Sequence, residues 1–365
     1  MEYRFRKVID NNGKVYDSVT HFASVFGIPR TTISSRLHRT NKFSVGDITI
    51  TFYEGAEPKN NETNEEVDKE FENYRKARKQ DFNFYEIKQK HRERGYRYAI
   101  ALFSDAHIEE TVEPSSVLGK NEYNVAIAEE RIKTYFANLA SCIRKDDVNV
   151  LFFASLGDTI SGFIHEELSQ ENGLSPLQAT AFGQSLIISG LKYLRNEFPA
   201  LEITFIGISG NHSRTTKKIQ HANGFKMSYE WLMYKNIEKF SEMLGLNISF
   251  IIPESEVALV QTPDNKRYIF CHGYQVQSKG TGTVAGIYPA LGRLSMKWRT
   301  TFDQDKIFLG HYHTCVSIPT ATVNGSIIGY NAFALTNGMG CEEPAQQYEV
   351  YENGKELLSR KIYCK

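Results

Sequence analysis

The segment I-T-F-I-G-I-S-G-N-H-S-R, residues 203–214, decides how the rest of the chain is interpreted. β-Branched and aromatic residues fill its first half and stop at Gly210, which is typical of a buried strand that ends in a turn. Asn211 and His212 follow directly, so an amide and an imidazole are expected at a strand end, where α/β sheets carry their chemistry. A Gly-Asn pair is also an ordinary turn signal, and by itself this segment predicts no site.

Four further segments repeat the pattern of an apolar strand followed by metal-ligand residue types. They are A-I-A-L-F-S-D-A-H (99–107), V-N-V-L-F-F-A-S-L-G-D (148–158), Y-I-F-C-H-G (268–273) and I-F-L-G-H-Y-H (307–313). The five strand ends carry Asp105, His107, Asp158, Asn211, His272, His311 and His313. Side chains of an extended segment alternate between faces, so D-x-H and H-x-H each present both residues on one side. Because two divalent ions about 3.5–4 Å apart need a bridging carboxylate and terminal oxygen and nitrogen ligands, the set predicts a two-metal centre.

The ordered series D-x-H, G-D, G-N-H, H and G-H-x-H resembles the calcineurin-like metallophosphoesterase family, and the resemblance covers about residues 96–365. It implies an α/β fold in which two mixed β-sheets, flanked by helices, form a sandwich with the metals at the strand ends. It also implies the ligand sets of the two ions. Asp105, His107 and His313 would bind one ion, Asn211, His272 and His311 the other, and Asp158 would bridge them. We expect Mn²⁺, although iron, zinc or nickel would suit the same ligands.

The same resemblance implies a catalytic role for His212, beside the ligand Asn211. His212 would be the general acid that protonates the leaving oxygen while a metal-bridging hydroxide attacks phosphorus in line. Many family members follow G-N-H with Asp or Glu, whereas this chain has Ser213, so another group is expected to orient the imidazole. Arg214 is expected to contact the phosphate. Lys217 and Lys218 either do the same or begin a solvated helix.

Residues 1–55 are predicted to form a separate module. A hairpin-like turn at Asn11-Asn12-Gly13 is followed by a first helix after Asp17 or Ser18, a break at Gly27 and a second helix after Thr31. Residues 18–41 resemble the small helix-turn-helix repeats found beside homing endonucleases. This implies that DNA is contacted by Arg30, Thr32, Ser35, Arg36, Arg39 and Lys42. The module has eight basic and five acidic residues, which favours weak, salt-sensitive binding, and such helix pairs also serve as protein-interaction modules.

Residues 56–95 are predicted to be a linker that is acidic at first and basic later, and residues 96–365 to be the catalytic domain. The chain has 365 residues, equal numbers of acidic and basic side chains and no apolar run of membrane-spanning length. Five scattered cysteines without a C-x-x-C pair indicate reduced thiols. We therefore expect a cytoplasmic protein without a membrane span or secretory signal, in a bacterial host if the chain is phage-encoded. Nucleic-acid binding would have to come from local patches.

The appended module favours a DNA nuclease, because a tethering domain suits a nucleic-acid substrate better than a small metabolite. SbcD-type DNA repair nuclease subunits share the catalytic pattern, and the segments N-E-Y-N, H-E-E-L and G-N-H-S-R-T resemble a phage-associated branch. The alternative is a phosphodiesterase or phosphatase that acts on a small nucleotide or a phosphoprotein and uses the module for protein interaction or regulation. The chain could form a homodimer. A partner ATPase subunit is possible, but nothing in the sequence indicates one.

Overall fold

The computed structural model describes residues 7–29, 32–33, 37, 40–52, 85–87, 96–164, 172–220, 222–276, 283–336 and 338–365. The chain divides into two compact units, residues 1–76 and 77–365. Over these ranges, no helix is both long enough and apolar enough to span a membrane.

The N-terminal unit contains a four-stranded antiparallel sheet and a helix. The elements are β1 (Val8–Asp10), β2 (Val15–Tyr16), α1 (Val19–Phe26), β3 (Phe43–Val45) and β4 (Ile48–Phe52). The strand order is β2-β1-β4-β3. The predicted turn at residues 11–13 joins β1 and β2, and Gly13 has the positive φ of 84° that such a turn favours. The β3–β4 hairpin was not predicted from the sequence.

Helix α1 has the predicted limits. Ser18 is its N-cap and accepts a hydrogen bond from the backbone N–H of His21, and Gly27 ends it in the left-handed conformation. Of the predicted second helix the structure describes residues 32–33, 37 and 40, all helical. Ile33 and Leu37 are buried, as that prediction requires. The helix-turn-helix assignment stays a prediction, because most of its second helix lies outside the described residues.

The larger unit contains the remaining strands and five helices over its described ranges. Its strands are β5 (Tyr85–Glu86), β6 (Arg97–Phe103), β7 (Val150–Ser155), β8 (Glu202–Gly207), β9 (Ile248–Ile251), β10 (Val257–Gln261), β11 (Arg267–Cys271), β12 (Lys306–Leu309), β13 (Val316–Ile318), β14 (Ala321–Val323), β15 (Ala345–Glu352) and β16 (Lys355–Tyr363). Its helices are α2 (Val125–Lys145), α3 (Pro176–Glu197), α4 (Tyr229–Met243), α5 (Thr283–Phe302) and α6 (Ala332–Thr336).

The strands form two six-stranded sheets, ordered β16-β15-β6-β7-β8-β9 and β13-β14-β12-β11-β10-β5. Both are mixed. In the first, β6 to β9 are parallel and β15 and β16 run antiparallel to their neighbours. In the second, β11, β12 and β14 are parallel, whereas β10 and β13 pair antiparallel with β11 and β14. The predicted architecture of two mixed sheets flanked by helices is confirmed.

Strand β6 shows how sequence alternation builds the layers. Ala99, Ala101 and Phe103 belong to the core that the first sheet forms with helices α2, α3 and α4. The alternate residues, among them Ile100 and Leu102, belong to the core between the two sheets, because successive side chains of a strand point to opposite faces. Helix α5 packs on the outer face of the second sheet. Four layers therefore hold the strand ends in place.

Helices α2 and α3 approach closely at Gly190. A Cβ at this position would lie 2.2–2.4 Å from ring atoms of Phe136 on α2. Glycine is thus required here by packing, although it weakens a helix interior.

We predict that Gly190→Ala lowers the free energy of unfolding by about 1–3 kcal/mol, because the methyl group overpacks the contact with Phe136. The control is Gly292→Ala on α5, where a Cβ meets no atom within 4 Å. That change should raise the free energy by up to about 1 kcal/mol through helix propensity. Urea unfolding followed by circular dichroism measures both, and equal stability of the two variants would contradict the packing argument.

Candidate metal centre

The candidate site lies where strands of both sheets end. Strands β6, β7 and β8 are parallel neighbours, and their C-terminal ends lead into the segments that carry Asp105, Asp158 and Asn211. In the second sheet β11 and β12 are parallel and lead into His272 and His311. Because the carboxyl ends of parallel strands meet at one edge of a sheet, the loops converge.

Six of the predicted ligands form two groups that could each hold a metal ion. One consists of Asp105, His107 and His313, and the other of Asp158, His272 and His311. Within each group the ligand atoms lie within 4.8 Å of one another. The seventh predicted ligand, Asn211, joins the second group, since its Oδ1 lies 3.0 Å from Nε2 of His272. The structure thus brings the predicted side chains together, with Asp158 in the group of His272 and His311. The sharing of Asp158 between two ions stays a prediction.

The backbone of the ligand loops is unusual. Five of the predicted ligand residues have a positive φ, namely Asp105, His107, Asp158, His311 and His313. Non-glycine residues adopt this left-handed conformation rarely, and such outliers cluster at functional sites. Glycines allow the loops to touch: a Cβ on Gly210 would lie 2.0 Å from Oδ1 of Asp158, and one on Gly310 would lie 2.6 Å from Oδ2 of Asp105. The backbone conformation of these loops therefore determines where the predicted ligand side chains lie.

Asp158 lies at the centre of the site and is buried. Its Oδ2 lies 2.9 Å from Nε2 of His272, and its Oδ1 accepts a hydrogen bond of 2.8 Å from the backbone N–H of His212. Burial alone would raise the pKa of Asp158, but the neighbouring His272 and His212 hold it well below its usual range. Burial would likewise lower the pKa of His272, but the charge of Asp158 raises it to about 10. The buried carboxylate therefore depends on positive charge beside it.

Asp105 has the corresponding place in the other group. It is also buried, and its Oδ1 lies 3.5 Å from Nε2 of His313. Both of its carboxylate oxygens accept from the backbone N–H of His311, at 3.1 and 3.0 Å. Burial would raise the pKa of Asp105, but the hydrogen bond with His313 lowers it. Burial, reinforced by His272, lowers the pKa of His311 to about 4, so this imidazole is neutral and suited to bind a cation.

His107 is oriented by side chains that the sequence did not reveal. Its Nδ1 lies 2.9 Å from Oγ of Ser161, and the Ser161 hydroxyl donates to Oε2 of Glu110 at 3.2 Å. Glu110 in turn accepts from the Asn331 amide at 2.9 Å. With Nδ1 used in this way, Nε2 is the ring nitrogen that would bind an ion. Glu110 lies three residues after His107, so the only sequence signal for this chain of contacts was proximity to the D-x-H motif.

The His212 imidazole is held by a backbone carbonyl rather than by a neighbouring carboxylate. Its Nδ1 lies 3.0 Å from the carbonyl oxygen of Ser161, which can only accept, so Nδ1 carries the proton of that bond. The ring of His212 stands edge-on to the ring of His107, with centroids 4.8 Å apart. The carbonyl oxygen of Ser161 is therefore the group that orients the His212 imidazole. The sequence, which has Ser213 rather than a carboxylate after His212, left this group unassigned.

Arg214 stabilises the loop that follows Asn211. Its guanidinium donates to the carbonyl oxygens of Asn211, of Thr216 at 3.1 Å and of Lys217 at 3.4 Å. Its predicted contact with a phosphate stays a prediction. The residues predicted to contact DNA belong to the other unit. Thr32 and Lys42 are exposed, and the other four lie outside the described residues, namely Arg30, Ser35, Arg36 and Arg39.

Two buried carboxylates hold the ligand loops together. Glu230 on α4 accepts from the backbone N–H of Thr159 at 2.5 Å and of Gly210 at 2.7 Å, which joins the loops that carry Asp158 and Asn211. Glu109 accepts from the N–H groups of Ser161 and Gly162, each at 2.8 Å. Burial raises the pKa of both carboxyls to about 7, with the charge of Asp158 contributing for Glu230. No local motif marks Glu230, so the sequence offered no signal for it.

The donor set fits two divalent cations. Two buried carboxylates, four imidazoles and one amide oxygen meet at one edge of the sandwich, and carboxylate and imidazole suit Mn, Fe, Zn or Ni. The carboxylates are shared with backbone N–H groups and imidazoles, which fixes their orientation before an ion binds.

Comparison with known proteins gives little further information. No protein-family model matches the chain, and no curated protein matches it. Among solved structures it is similar to a 5'-nucleotidase from Candida albicans, with 9% identity, a TM-score of 0.33, and coverage of 69% of this chain and 47% of that one. A putative 5'-nucleotidase from Staphylococcus aureus shares 12% identity, with a TM-score of 0.30 and coverage of 73% and 54%. The sulfate thiohydrolase SoxB of Thermus thermophilus shares 9%, with a TM-score of 0.26 and coverage of 75% and 57%.

The chain thus covers about half the length of these structures, and at these TM-scores they do not decide its function. Its function is inferred from the geometry of the metal centre instead.

We predict that Ser161→Ala weakens Mn²⁺ binding about 10- to 100-fold, because His107 loses the hydroxyl that orients its ring. Isothermal titration with Mn²⁺ measures the effect. Ser185→Ala is the matched control, since the Ser185 hydroxyl is exposed on α3, where it donates to the carbonyl oxygen of Ala181. Unchanged affinity in Ser161→Ala would show that this hydroxyl does not support a ligand.

Proposed function

We propose that the chain is a two-metal-dependent phosphodiesterase that hydrolyses nucleic-acid phosphodiester bonds, with His212 as its general acid. The observation that carries the proposal is the pair of candidate ligand groups, of which the second contains Asp158. The backbone N–H of His212 is bonded to the Asp158 carboxylate, and the backbone N–H of His107, from the first group, is bonded to the Asp158 carbonyl. One ion would be held by Asp105, His107 and His313, and the other by Asn211, His272 and His311, with Asp158 shared. When bound, such ions lower the pKa of a water molecule and neutralise charge on the phosphoryl oxygens.

The protein itself positions the proton that the leaving oxygen needs. Because Nδ1 of His212 is bonded to the Ser161 carbonyl, Nε2 is the nitrogen that would deliver a proton to the leaving oxygen. The backbone N–H of His212 donates to Asp158 at 2.8 Å, which places the proposed general acid beside the shared ligand. Positioned acids of this kind contribute about 10²- to 10⁴-fold to the rate.

The surroundings of His212 support a nucleic-acid substrate. Arg214 follows two residues later, and Lys217 and Lys218 extend the same segment with exposed side chains. Cations beside a phosphodiester site neutralise the neighbouring phosphates of a polymeric substrate, which a small monoester lacks. Mn²⁺ is the metal we propose. The alternative substrate, a small nucleotide or a phosphoprotein, is distinguished by a comparison of substrates.

The first test compares substrates with the purified full chain in Mn²⁺, in Mg²⁺ and in chelator. We expect Mn²⁺-dependent cleavage of circular single-stranded DNA, and we expect Asp158→Asn to abolish it, because both ions lose a shared ligand. Turnover of bis-p-nitrophenyl phosphate with circular and linear DNA left intact would contradict the nuclease and favour the small-substrate phosphodiesterase. Activity that survives in Asp158→Asn would contradict the metal centre itself.

The role of His212 is tested by its dependence on the leaving group. We predict that His212→Asn slows DNA cleavage about 10²-fold or more but slows bis-p-nitrophenyl phosphate hydrolysis much less, because nitrophenolate leaves without protonation. Bound metal, measured by mass spectrometry of the dialysed protein, should stay the same as in the unmodified chain. Equal slowing of both substrates, or loss of metal, would assign His212 a different role.

A further inference from the structure

Apolar side chains are exposed at the rim of the site on the side of His212. Phe163 is 44% exposed and Met227 is also 44% exposed, although both are large and apolar. The Phe163 ring stands edge-on to the ring of Tyr229, with centroids 6.4 Å apart and an angle of 71° between the planes. This rim, which consists of Phe163, Met227 and Tyr229, therefore offers a phenyl ring that is partly open to solvent. A contiguous exposed apolar patch that is surrounded by polar residues can mark a binding surface.

Backbone contacts tie the rim to the general acid. Gly162, the residue before Phe163, lies against the His212 carbonyl, where a Cβ would be 2.5 Å from the oxygen. Ser161, one residue earlier, holds the imidazole of His212. On the other side the N–H of Tyr229 donates to the carbonyl of Ser213 at 2.9 Å. Phe163 and Tyr229 are therefore fixed on the side of the site where the proposed leaving group departs.

A basic segment continues from the rim. The N–H of Thr215 donates to the Met227 carbonyl at 2.8 Å, and Arg214 pairs with Ser228 in a β-bridge. These contacts place the start of the segment that carries Lys217 and Lys218 against the rim. Lys226, exposed beside the ring of Phe225, adds a further cation next to Met227. Aromatic faces interleaved with cations are the means by which proteins bind single-stranded nucleic acid, because bases stack on the rings while phosphates meet the charges.

We propose that Phe163, supported by Tyr229, is the platform on which an unpaired base beside the scissile bond stacks, so that the preferred substrate is a single strand. The inference rests on the proposed function and specifies its substrate. A base in a duplex is already stacked on its neighbours and paired, so the platform adds binding only for an unpaired base. The base lies on the leaving-group side, next to His212.

The test measures kcat/KM for three substrates in Mn²⁺: a single-stranded oligonucleotide, its duplex, and an oligomer of equal length in which abasic residues replace the bases. The unmodified chain should prefer the single strand to the abasic oligomer by about 5- to 150-fold, the effect of one base stacked on an aromatic ring. Phe163→Ala should lose most of this preference, mainly through KM, and Phe163→Tyr should keep it. Met296→Ala, which removes another exposed apolar side chain on α5, is the control and should not change the preference.

The platform is contradicted if Phe163→Ala keeps the preference for bases, if it lowers kcat/KM equally for all three substrates, or if the unmodified chain cleaves the duplex as well as the single strand. Failure of the proposed function has a different signature, since the unmodified chain would then cleave none of the three oligomers. Circular dichroism of Phe163→Ala distinguishes a folding defect from a lost contact, and Phe163→Tyr provides a folded variant if Phe163→Ala is unstable.

Discussion

The structure depends on one constraint: two buried carboxylates must lie side by side at the edge of the sandwich and remain charged. Like charges in a low-dielectric interior raise each other's pKa unless positive or hydrogen-bonding groups compensate. Asp105 and Asp158 are compensated by His313 and His272 and by backbone N–H groups, and their pKa values are lowered despite complete burial. Divalent ions bound between these side chains would supply further positive charge that compensates the two carboxylates.

The loops that place these carboxylates contain residues in an unfavourable backbone conformation. A non-glycine residue in the left-handed region costs on the order of 1–3 kcal/mol, and five ligand residues adopt it. The loops offset that cost by bonding to one another. Asp105 donates to Gly157, His107 donates to Asp158, and Gly310 donates to His272 through backbone groups. Glu230 and Glu109 add further bonds to backbone N–H groups of the loops, so every ligand segment in the first sheet is fixed by another segment.

The candidate ligand residues could be proposed from sequence because each comes shortly after an apolar strand. The buried carboxylate that joins their loops could not, since Glu230 contacts Thr159 and Gly210 only in the folded chain. The β15–β16 hairpin was missed for a similar reason. Its buried polar residues break the apolar alternation, yet Gln346 and Glu349 are satisfied by partners distant in sequence, such as Ser104 and Lys306. Long-range hydrogen bonding, rather than local pattern, decides these parts of the fold.

The central claim is that the ligand groups hold two ions that share Asp158. Anomalous diffraction from crystals grown with Mn²⁺ tests it most directly, because the metal positions are then observed without reference to activity. We expect two peaks about 3.5–4 Å apart, one beside Asp105 and His313 and the other beside His272 and His311, with the Asp158 carboxylate between them. A single peak, or peaks that do not contact Asp158, would contradict the claim.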